Sequence, residues 1–492
     1  MDRSTVIMVV LALAGLGGAY NMRPQELPPV QFEDTGEALF PEFTDPTTAT
    51  SLEVVAWDED EAQVVTFKVM QKEGRWVIPS HNDYPADGTE RMGKAAASFI
   101  DVKKDRYYGD NPADFAAFGV LDPEGDEGKG DEKGQRITIK DASDTTLVDI
   151  IVGKEIPDRP GYYYVRMPGE ENKRVYGSKL ELDISTKFED WIEKDLLEVD
   201  RDDFYQMTYD PYVVDEVEGK VTGFNPVIAE VASRGNRQDW KVVEGTEVPE
   251  GKQLDSMKVR QILTALSSLK IVGVRPRPPA RNILEQQILA QDMKRKGFFV
   301  VPTEDGRAQL FGNEGMLSAV TDDGIVYSLL FGEVTYESGI ALTAGVADSS
   351  EGDKGVMEEG LEEEPAEEGD TSKKASRFMF VDVFYDPSLD TTLAGMSAPE
   401  APPSEGAEGE TGGEGAAEPA GGSSEPIDPE GDAEKMKAGK EKAAKLRQRF
   451  DQWFYVISDS SFTQMHKARD EMFKDAPAAP TAPGTGDDAP IE

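Results

Sequence analysis

Short stretches in which apolar and polar residues alternate dominate the first half of the chain. Partial alternation over residues 51–57 is followed by apolar stretches at 64–69 and Arg75–Ile78, with a Glu-Gly pair between the last two. Stretches of this length bounded by turn residues predict antiparallel strands. After Asp87, which is suited to cap a helix, the apolar residues recur at helical spacing. The pattern therefore predicts three strands followed by a helix.

The residues that follow predict further strands and two helices. A short apolar helix at 115–118 ends at Gly119, and a closing helix is predicted at 188–197. Between them lie four strand patterns, at residues 136–140, 147–152, 162–166 and 174–176. Strands without a regular strand-helix alternation indicate an α+β unit, to which we assign residues 51–200.

A second copy of this pattern follows. Trp76 and Trp240 each have a proline nine residues later, Pro85 and Pro249, and a predicted helix after that. Residues 147–155 also align without gaps onto residues 325–333. Two separate points of similarity predict an internal repeat, with a second module over residues 201–474. The predicted fold is α+β, with two tandem copies of a strand-rich, antiparallel-sheet-plus-helix module after an N-terminal transmembrane helix.

The second module carries clearer helix signals than the first. A helix is predicted after Asp255, and another at 283–294 before a strand at 298–301. Later elements are an apolar strand at 377–385, a strand at 453–457 and a helix at 462–473.

The N-terminus begins with an uncharged, mostly apolar segment at residues 5–20, preceded by Arg3. Sixteen helical residues span about 24 Å, slightly less than the hydrocarbon core of a bilayer. We interpret residues 1–22 as an uncleaved membrane anchor, with a cleaved signal as the alternative, and residues 23–50 as a proline-rich tether. The rest of the chain would then lie outside the cytoplasm, in the periplasm.

Two acidic segments interrupt the second module. Residues 348–376 contain eleven acids and residues 390–434 contain twelve, among glycine, proline, alanine and serine. This composition predicts disordered insertions, and residues 475–492 a disordered tail. The formal net charge of −44 argues against nucleic-acid binding. Residues 435–449 reverse the charge, with seven basic residues and one acid, and predict either a docking helix or a solvated helix.

Residues suited to catalysis are sparse. The chain has no cysteine and only two histidines, His81 and His466, which excludes thiolate chemistry and argues against a histidine-based triad or zinc site. Carboxylate pairs such as Asp83 with Asp87, or Asp202 with Asp203, are expected in so acidic a chain. The aromatic strands around Tyr162–Arg166 and 378–385 favour a core role over a ligand groove. We therefore predict a non-enzyme without catalytic, cofactor-binding or metal-binding residues.

Several phrases together resemble a known bacterial family. They are Trp76-Val77-Ile78-Pro79, Pro85-Ala86-Asp87, the sequence FGVLDP at 118–123, IIVG at 150–153 and YYYVR at 162–166. As a set they resemble the family called domain of unknown function 4340, over about residues 50 to 345. The resemblance implies a membrane-anchored extracytoplasmic protein of the bacterial inner membrane, acting beside an ABC transporter of the gliding-motility type. It supplies no catalytic residues, and the long acidic insertions depart from the family pattern.

The predicted function is therefore that of a single-pass accessory protein that binds a partner in an ABC-type transport or envelope complex. Two alternatives remain open at the level of sequence. One is an envelope glycan hydrolase that uses two carboxylates, and the other is a soluble periplasmic binding module released by signal cleavage.

Overall fold

The structure, a computed structural model, describes eleven stretches of the chain. They are residues 34–59, 62–169, 171–181, 184–193, 195–215, 220–233, 236–302, 308–337, 339–345, 375–393 and 429–477. The predicted anchor at 1–22, residues 23–33 of the tether, most of both acidic insertions, and residues 478–492 lie outside the described residues. Among the described residues, no helix is long and apolar enough to cross a membrane.

Seven α-helices and twenty-three strands occur among these residues, so the fold is α+β and rich in strands. The helices are α1 (Thr89–Ala97), α2 (Phe115–Phe118), α3 (Ser256–Ser267), α4 (Ile283–Arg295), α5 (Gly339–Ala344), α6 (Pro429–Phe450) and α7 (Asp459–Met465). The strands are β1 (Ala49–Asp58), β2 (Gln63–Lys72), β3 (Arg75–Ile78), β4 (Tyr84–Pro85), β5 (Arg106–Gly109), β6 (Gln135–Asp141), β7 (Thr146–Glu155), β8 (Tyr162–Arg166), β9 (Val175–Lys179), β10 (Phe204–Asp210), β11 (Val213–Asp215), β12 (Lys220–Thr222), β13 (Val227–Ser233), β14 (Asn236–Val242), β15 (Lys252–Leu254), β16 (Gly273–Pro276), β17 (Phe298–Pro302), β18 (Ala308–Gly312), β19 (Met316–Thr321), β20 (Asp323–Thr335), β21 (Ser376–Asp390), β22 (Trp453–Ser458) and β23 (Phe473–Asp475).

Contacts within the chain divide it into two compact units. The first unit comprises residues 1–65 and 93–183, and the second comprises residues 66–92 and 184–492. This division differs from the sequence modules 51–200 and 201–474, which are defined by a repeat rather than by contacts. The segment 66–92, which carries Trp76, groups with the second unit.

The first unit is built on an antiparallel sheet with the strand order β1-β6-β7-β8-β9-β5. Ile137 pairs with Val54 on one side and Ile150 on the other, and all three are fully buried. Because side chains alternate between the two faces of a strand, this register places their apolar residues on one face. The predicted strands at 136–140, 147–152, 162–166 and 174–176 are confirmed; β5, at the sheet edge, was not predicted.

The second unit has an eight-stranded antiparallel sheet in the order β14-β13-β10-β19-β20-β21-β22-β16. Its core lies along the middle strands, where fully buried Leu317 pairs with Leu329, and Leu329 with Val381. The strands β2, β3 and β4 form a meander that precedes this sheet along the chain.

The two sheets share one connectivity. In each, the first strand (β1 or β10) pairs with the first of four consecutive antiparallel strands (β6 to β9, or β19 to β22). An earlier strand, β5 or β16, then closes the far side. Trp76 and Trp240 lie on the second strand of the hairpins β2-β3 and β13-β14, respectively.

A glycine contact recurs on corresponding strands of the two sheets, one position apart in the gapless alignment, which pairs Gly153 with Phe331. A Cβ atom on Gly153, in β7, would collide with the carbonyl oxygen of Phe118 at the end of α2. A Cβ atom on Gly332, in β20, would collide with the carbonyl oxygen of Lys296, the residue after α4. In both places the close approach of a helix end to a long strand requires glycine.

The helices of the second unit agree in part with the sequence patterns. The Asp255 side chain accepts a hydrogen bond from the N–H of Met257 and begins α3, whose buried face confirms the predicted helix. The predicted helix at 462–473 is wrong in its length, because α7 ends at Met465 and residues 473–475 form β23, which pairs with β15. The predicted closing helix at 188–197 is also wrong, since the described residues of this stretch form no helix beyond the 3-10 turn Phe188–Asp190.

The edges of the acidic segments also differ from the sequence boundaries. Residues 429–434 form the first turns of α6, and β21 extends to Asp390, whose side chain is buried. The last strand, β23, includes Asp475 at the start of the predicted tail.

Candidate functional site

A groove of about 460 Å³ lies in the second unit, between the corner that carries Trp76 and the carboxyl end of α6. We call it the Trp76 groove. Its lining residues are Lys72, Glu73, Arg75, Trp76, Val77, Asp83, Pro85, Lys445, Gln448, Arg449, Gln452 and Trp453. The structure thus brings together two features that the sequence singles out separately, the tryptophan corner and the basic helix.

Local sequence explains the tight corner between β3 and β4. The 3-10 turn Pro79–His81 begins with a proline, whose fixed φ suits a first helical position. Asn82 and Asp83 then adopt left-handed φ angles of 58° and 60°, which short polar side chains tolerate better than others. The chain returns beside β3, where the N–H of Ala86 donates to the carbonyl of Trp76 at 2.9 Å.

The indole of Trp76 is half-buried and rests on Gly88. A Cβ atom at Gly88 would lie 3.0 Å from Cγ of Trp76, so the glycine allows the ring to sit close to the backbone. The indole N–H has no hydrogen-bond partner among the residues that the structure describes. The side chain therefore offers both an aromatic surface and a hydrogen-bond donor to the groove.

The other wall is formed by α6, which packs on β21. A Cβ atom at Gly439 would overlap the ring of Tyr385, and Ala443 and Phe450 are buried. Lys442 forms an ion pair with Asp323 at 2.6 Å. The helix is therefore fixed to the sheet by small residues and ion pairs, whereas the sequence predicted a solvated or docking helix at 435–449.

An aromatic contact joins the two walls. The rings of Tyr84 and Trp453 meet edge to face, with centroids 5.0 Å apart. Burial raises the pKa of Tyr84 to about 12, so its hydroxyl is neutral at ordinary pH. A packed aromatic contact therefore lies beside the groove, at its lining residue Trp453.

Cations outnumber carboxylates among the groove residues. Lys72 pairs with Asp83 at 2.6 Å, and this hydrogen bond raises the pKa of Lys72. Arg449 pairs with Glu198 at 2.6 Å. The exposed side chains of Arg75 and Lys445 have no ion pair among the described residues. In a protein of net charge −44, this groove is locally positive.

Neither histidine lies in the groove. His81 is buried and stacks on Phe188 at a centroid distance of 4.3 Å. Its Nδ1 lies 2.9 Å from the Ser80 hydroxyl, and its buried Nε2 has no hydrogen-bond partner among the described residues. Burial, reinforced by the charge of Arg275, lowers the pKa of His81 to about 4. The ring is therefore a neutral core element at ordinary pH.

His466 has a similar setting at the end of α7. It stacks on Phe462 at 4.6 Å and meets Phe331 at 6.2 Å. Burial, with the charge of Arg377, lowers the pKa of His466.

The carboxylate pairs weighed from the sequence have ordinary surroundings. Asp202 pairs with Arg201 at 2.7 Å, and Asp203 accepts a hydrogen bond from the N–H of Asp200 in a helix cap. Asp87 is exposed. Among the described residues, no three histidine or acidic side chains are grouped as metal ligands would be.

The aromatic strands lie against the cores, as predicted. Tyr164 contacts Tyr108 and Phe118 at 4.8 and 4.7 Å within the first unit. Phe378 and Phe380 belong to a buried cluster of the second unit that also contains Phe298 and Phe454. These rings contribute to packing rather than to a ligand groove.

An exposed apolar surface lies on α4. Met293 is buried and Leu289 packs on the same aromatic cluster, so this side of the helix faces the core. Ile283, Leu284 and Ile288 are 74%, 65% and 58% exposed. We call these three residues the α4 apolar face. Sequence patterns predicted the helix but missed this surface, because apolar residues on both sides of a helix do not reveal which side is covered.

The described residues thus form a strand-rich α+β protein whose surface carries one aromatic, locally positive groove and one apolar helix face. A family model described as domain of unknown function (DUF4340) matches residues 76–287, from the groove tryptophan into α4. The match covers fewer than half of the 492 residues. No curated protein and no solved structure matches the chain.

Proposed function

We propose that this protein is a non-enzymatic, membrane-anchored accessory protein that binds a protein partner in an extracytoplasmic transport complex of the ABC type. The observation that carries the proposal is the α4 apolar face. Large aliphatic side chains seldom stand in a group on a soluble surface unless a partner covers them.

Burial of these three side chains by a partner would supply binding energy. Covering an exposed Ile or Leu side chain stabilises a complex by roughly 1.5 to 3 kcal/mol before the costs of association. Three such residues on one helix supply a central anchor of the kind that dominates protein interfaces. The polar residues around them, Glu285, Gln286 and Gln287, suit the rim of such an interface.

The α4 face is specific to the second copy of a duplicated module. Support for duplication comes from the shared strand order and from the similar contacts of Gly153 and Gly332, which lie on corresponding strands. At the corresponding place before β6, the first unit has the four-residue α2, which ends at Phe118 and is too short to present such a surface. A duplicated scaffold in which one copy acquired a longer helix is consistent with a binding role.

The membrane and transporter parts of the proposal rest on sequence. The apolar segment at 5–20, with Arg3 before it, is suited to an anchor that holds both modules on the periplasmic side of a bacterial inner membrane. The resemblance to the family called domain of unknown function 4340 supports the transporter association.

The test is crosslinking and co-purification of the full chain from solubilised membranes. The double variant Leu284→Ser, Ile288→Ser should lose the transporter component that the wild type recovers. Val213→Ser is a matched control, because Val213 is 56% exposed on β11 and lies outside α4. Recovery of no transporter component by the wild type, or equal recovery by the double variant, would contradict the proposal.

A further inference from the structure

We infer that the Trp76 groove binds an acidic saccharide, a sugar ring that carries a carboxylate or sulfate group. This inference is independent of the α4 apolar face and concerns a ligand rather than a protein partner. The volume of about 460 Å³ lies within the range of small-ligand sites.

Trp76 supplies the surface for the sugar ring. One side of its indole rests on Gly88 and the side chain lines the groove, so a flat aromatic surface is available for the apolar C–H face of a pyranose. The indole N–H, unpaired among the described residues, is a donor for a sugar hydroxyl. Because Gly88 and the packed corner already fix the ring, little side-chain conformational entropy is lost on binding.

The polar residues of the groove fit hydroxyl and acid groups together. Gln448 and Gln452 both line the groove. Nε2 of Gln452 donates to the carbonyl of Gln448 at 2.8 Å, which leaves its second N–H and its oxygen for sugar hydroxyls. The side-chain amide of Gln448 can likewise donate to and accept from sugar hydroxyls. Arg75 and Lys445 line it without ion pairs among the described residues. A guanidinium binds carboxylate or sulfate through two parallel hydrogen bonds, and the nearby ammonium adds a second positive charge.

The geometry disfavours an acidic peptide as the ligand. An extended peptide gains most of its affinity by adding a strand to a sheet edge. The strand beside the groove, β4, has two residues, and its lining residue Pro85 has no N–H to donate. Amides and an aromatic ring match a polyhydroxylated sugar ring better than they match the run of carboxylates on an acidic peptide.

The test is calorimetric titration of the full chain in detergent with trigalacturonate, with neutral maltotriose as the size-matched comparison. Trigalacturonate should bind and maltotriose should bind at least about tenfold more weakly, since a hydrogen-bonded charge contributes about this factor. A sulfated disaccharide tests whether the groove also binds a sugar whose acid group is sulfate. Titration with a short polyglutamate peptide covers the competing class of ligand.

Variants locate the binding to the groove. Arg75→Gln and Lys445→Gln should each weaken binding of trigalacturonate about tenfold, and Trp76→Ala should weaken both sugars. Lys440→Gln is the matched control, because it removes the same charge from an exposed position of α6 that does not line the groove. The fold of each variant is checked by its unfolding midpoint.

Four results would overturn the inference: no binding of any acidic sugar, equal binding of maltotriose, equal loss in the Lys440 control, or tighter binding of polyglutamate. Because these titrations need no transporter, they fail or succeed independently of the proposed function.

Discussion

Tyr84 meets Trp453 edge to face, with ring centroids 5.0 Å apart and ring planes inclined at 70°. The contact joins the short strand β4 to the first residue of β22, which follows α6 directly along the chain. It therefore links the Trp76 corner to the segment that follows α6, within the second unit.

Removing this contact should loosen the groove and lower stability. Tyr84→Ala is expected to reduce the free energy of unfolding by about 2 to 4 kcal/mol, through lost burial and a lost aromatic pair. Tyr84→Phe keeps the ring and should stay within about 1 kcal/mol of the wild type. Chemical unfolding followed by tryptophan fluorescence measures both, and equal stability of the Ala and Phe variants would show that the ring contact is unimportant.

His81 should make stability depend on pH. Its folded pKa of about 4 lies below the ordinary value of 6.5, so the unfolded chain takes up a proton that the folded protein excludes. The contribution of neutral His81 to the free energy of unfolding is complete above pH 6.5 and is lost as the pH falls from there towards 4. Between pH 7.5 and 5, protonation of His81 in the unfolded chain lowers the free energy of unfolding by about 2 kcal/mol.

The measurement is urea unfolding of wild type and His81→Leu at both pH values. From pH 7.5 to pH 5, the free energy of unfolding of the variant should fall by about 2 kcal/mol less than that of the wild type. His466, whose pKa is also lowered, remains in both proteins and accounts for part of the residual slope. An unchanged slope in the variant would mean that His81 is protonated normally in the folded protein.

The two glycines that contact helix ends, Gly153 and Gly332, should be equally intolerant of a side chain. Gly153→Ala and Gly332→Ala each place a Cβ against a helix-end carbonyl, and each should cost about 2 to 3 kcal/mol or more. Gly93→Ala is the control, since nothing lies within 4 Å of its Cβ position in α1, and it should stabilise by about 0.5 to 1 kcal/mol. Thermal unfolding compares the three. A harmless change at only one of the two glycines would weaken the case for a shared corner.

Local patterns were sufficient to predict much of the fold. Short apolar strand patterns identified β2 and β6, and the cap at Asp255 identified α3, because these signals depend on residues close in sequence. The end of α7 was missed because His466 leaves the helix for a half-buried stack on Phe462, a tertiary contact with no sequence signature.

The groove could not be predicted for a related reason. Trp76 and Lys445 are far apart in the chain, and their proximity depends on how α6 packs on β21 and β4 packs on β22. Gly439 and Ala443 were a usable signal that α6 packs closely, since small residues on one side of a charged helix permit close approach.

Arg275 should anchor the short helix α5. Its guanidinium is 7% exposed, and its Nη1 donates to the carbonyl of Leu342 at 2.9 Å while its Nη2 donates to the carbonyl of Ala341 at 2.5 Å. Nη2 also contacts Oε2 of Glu337 at 2.6 Å. Burial lowers the pKa of Arg275, opposed by the Glu337 carboxylate. The charge is thus held by several acceptors at once.

Arg275→Leu should cost about 3 to 5 kcal/mol, because two helix carbonyls and a carboxylate lose their donor. Hydrogen exchange should show α5 losing protection before the sheet does. Glu337→Gln should cost less than about 1 kcal/mol, since this side chain is 44% exposed and water can replace the ion pair. If α5 keeps full protection in Arg275→Leu, its attachment depends on packing alone, and the guanidinium is not the anchor.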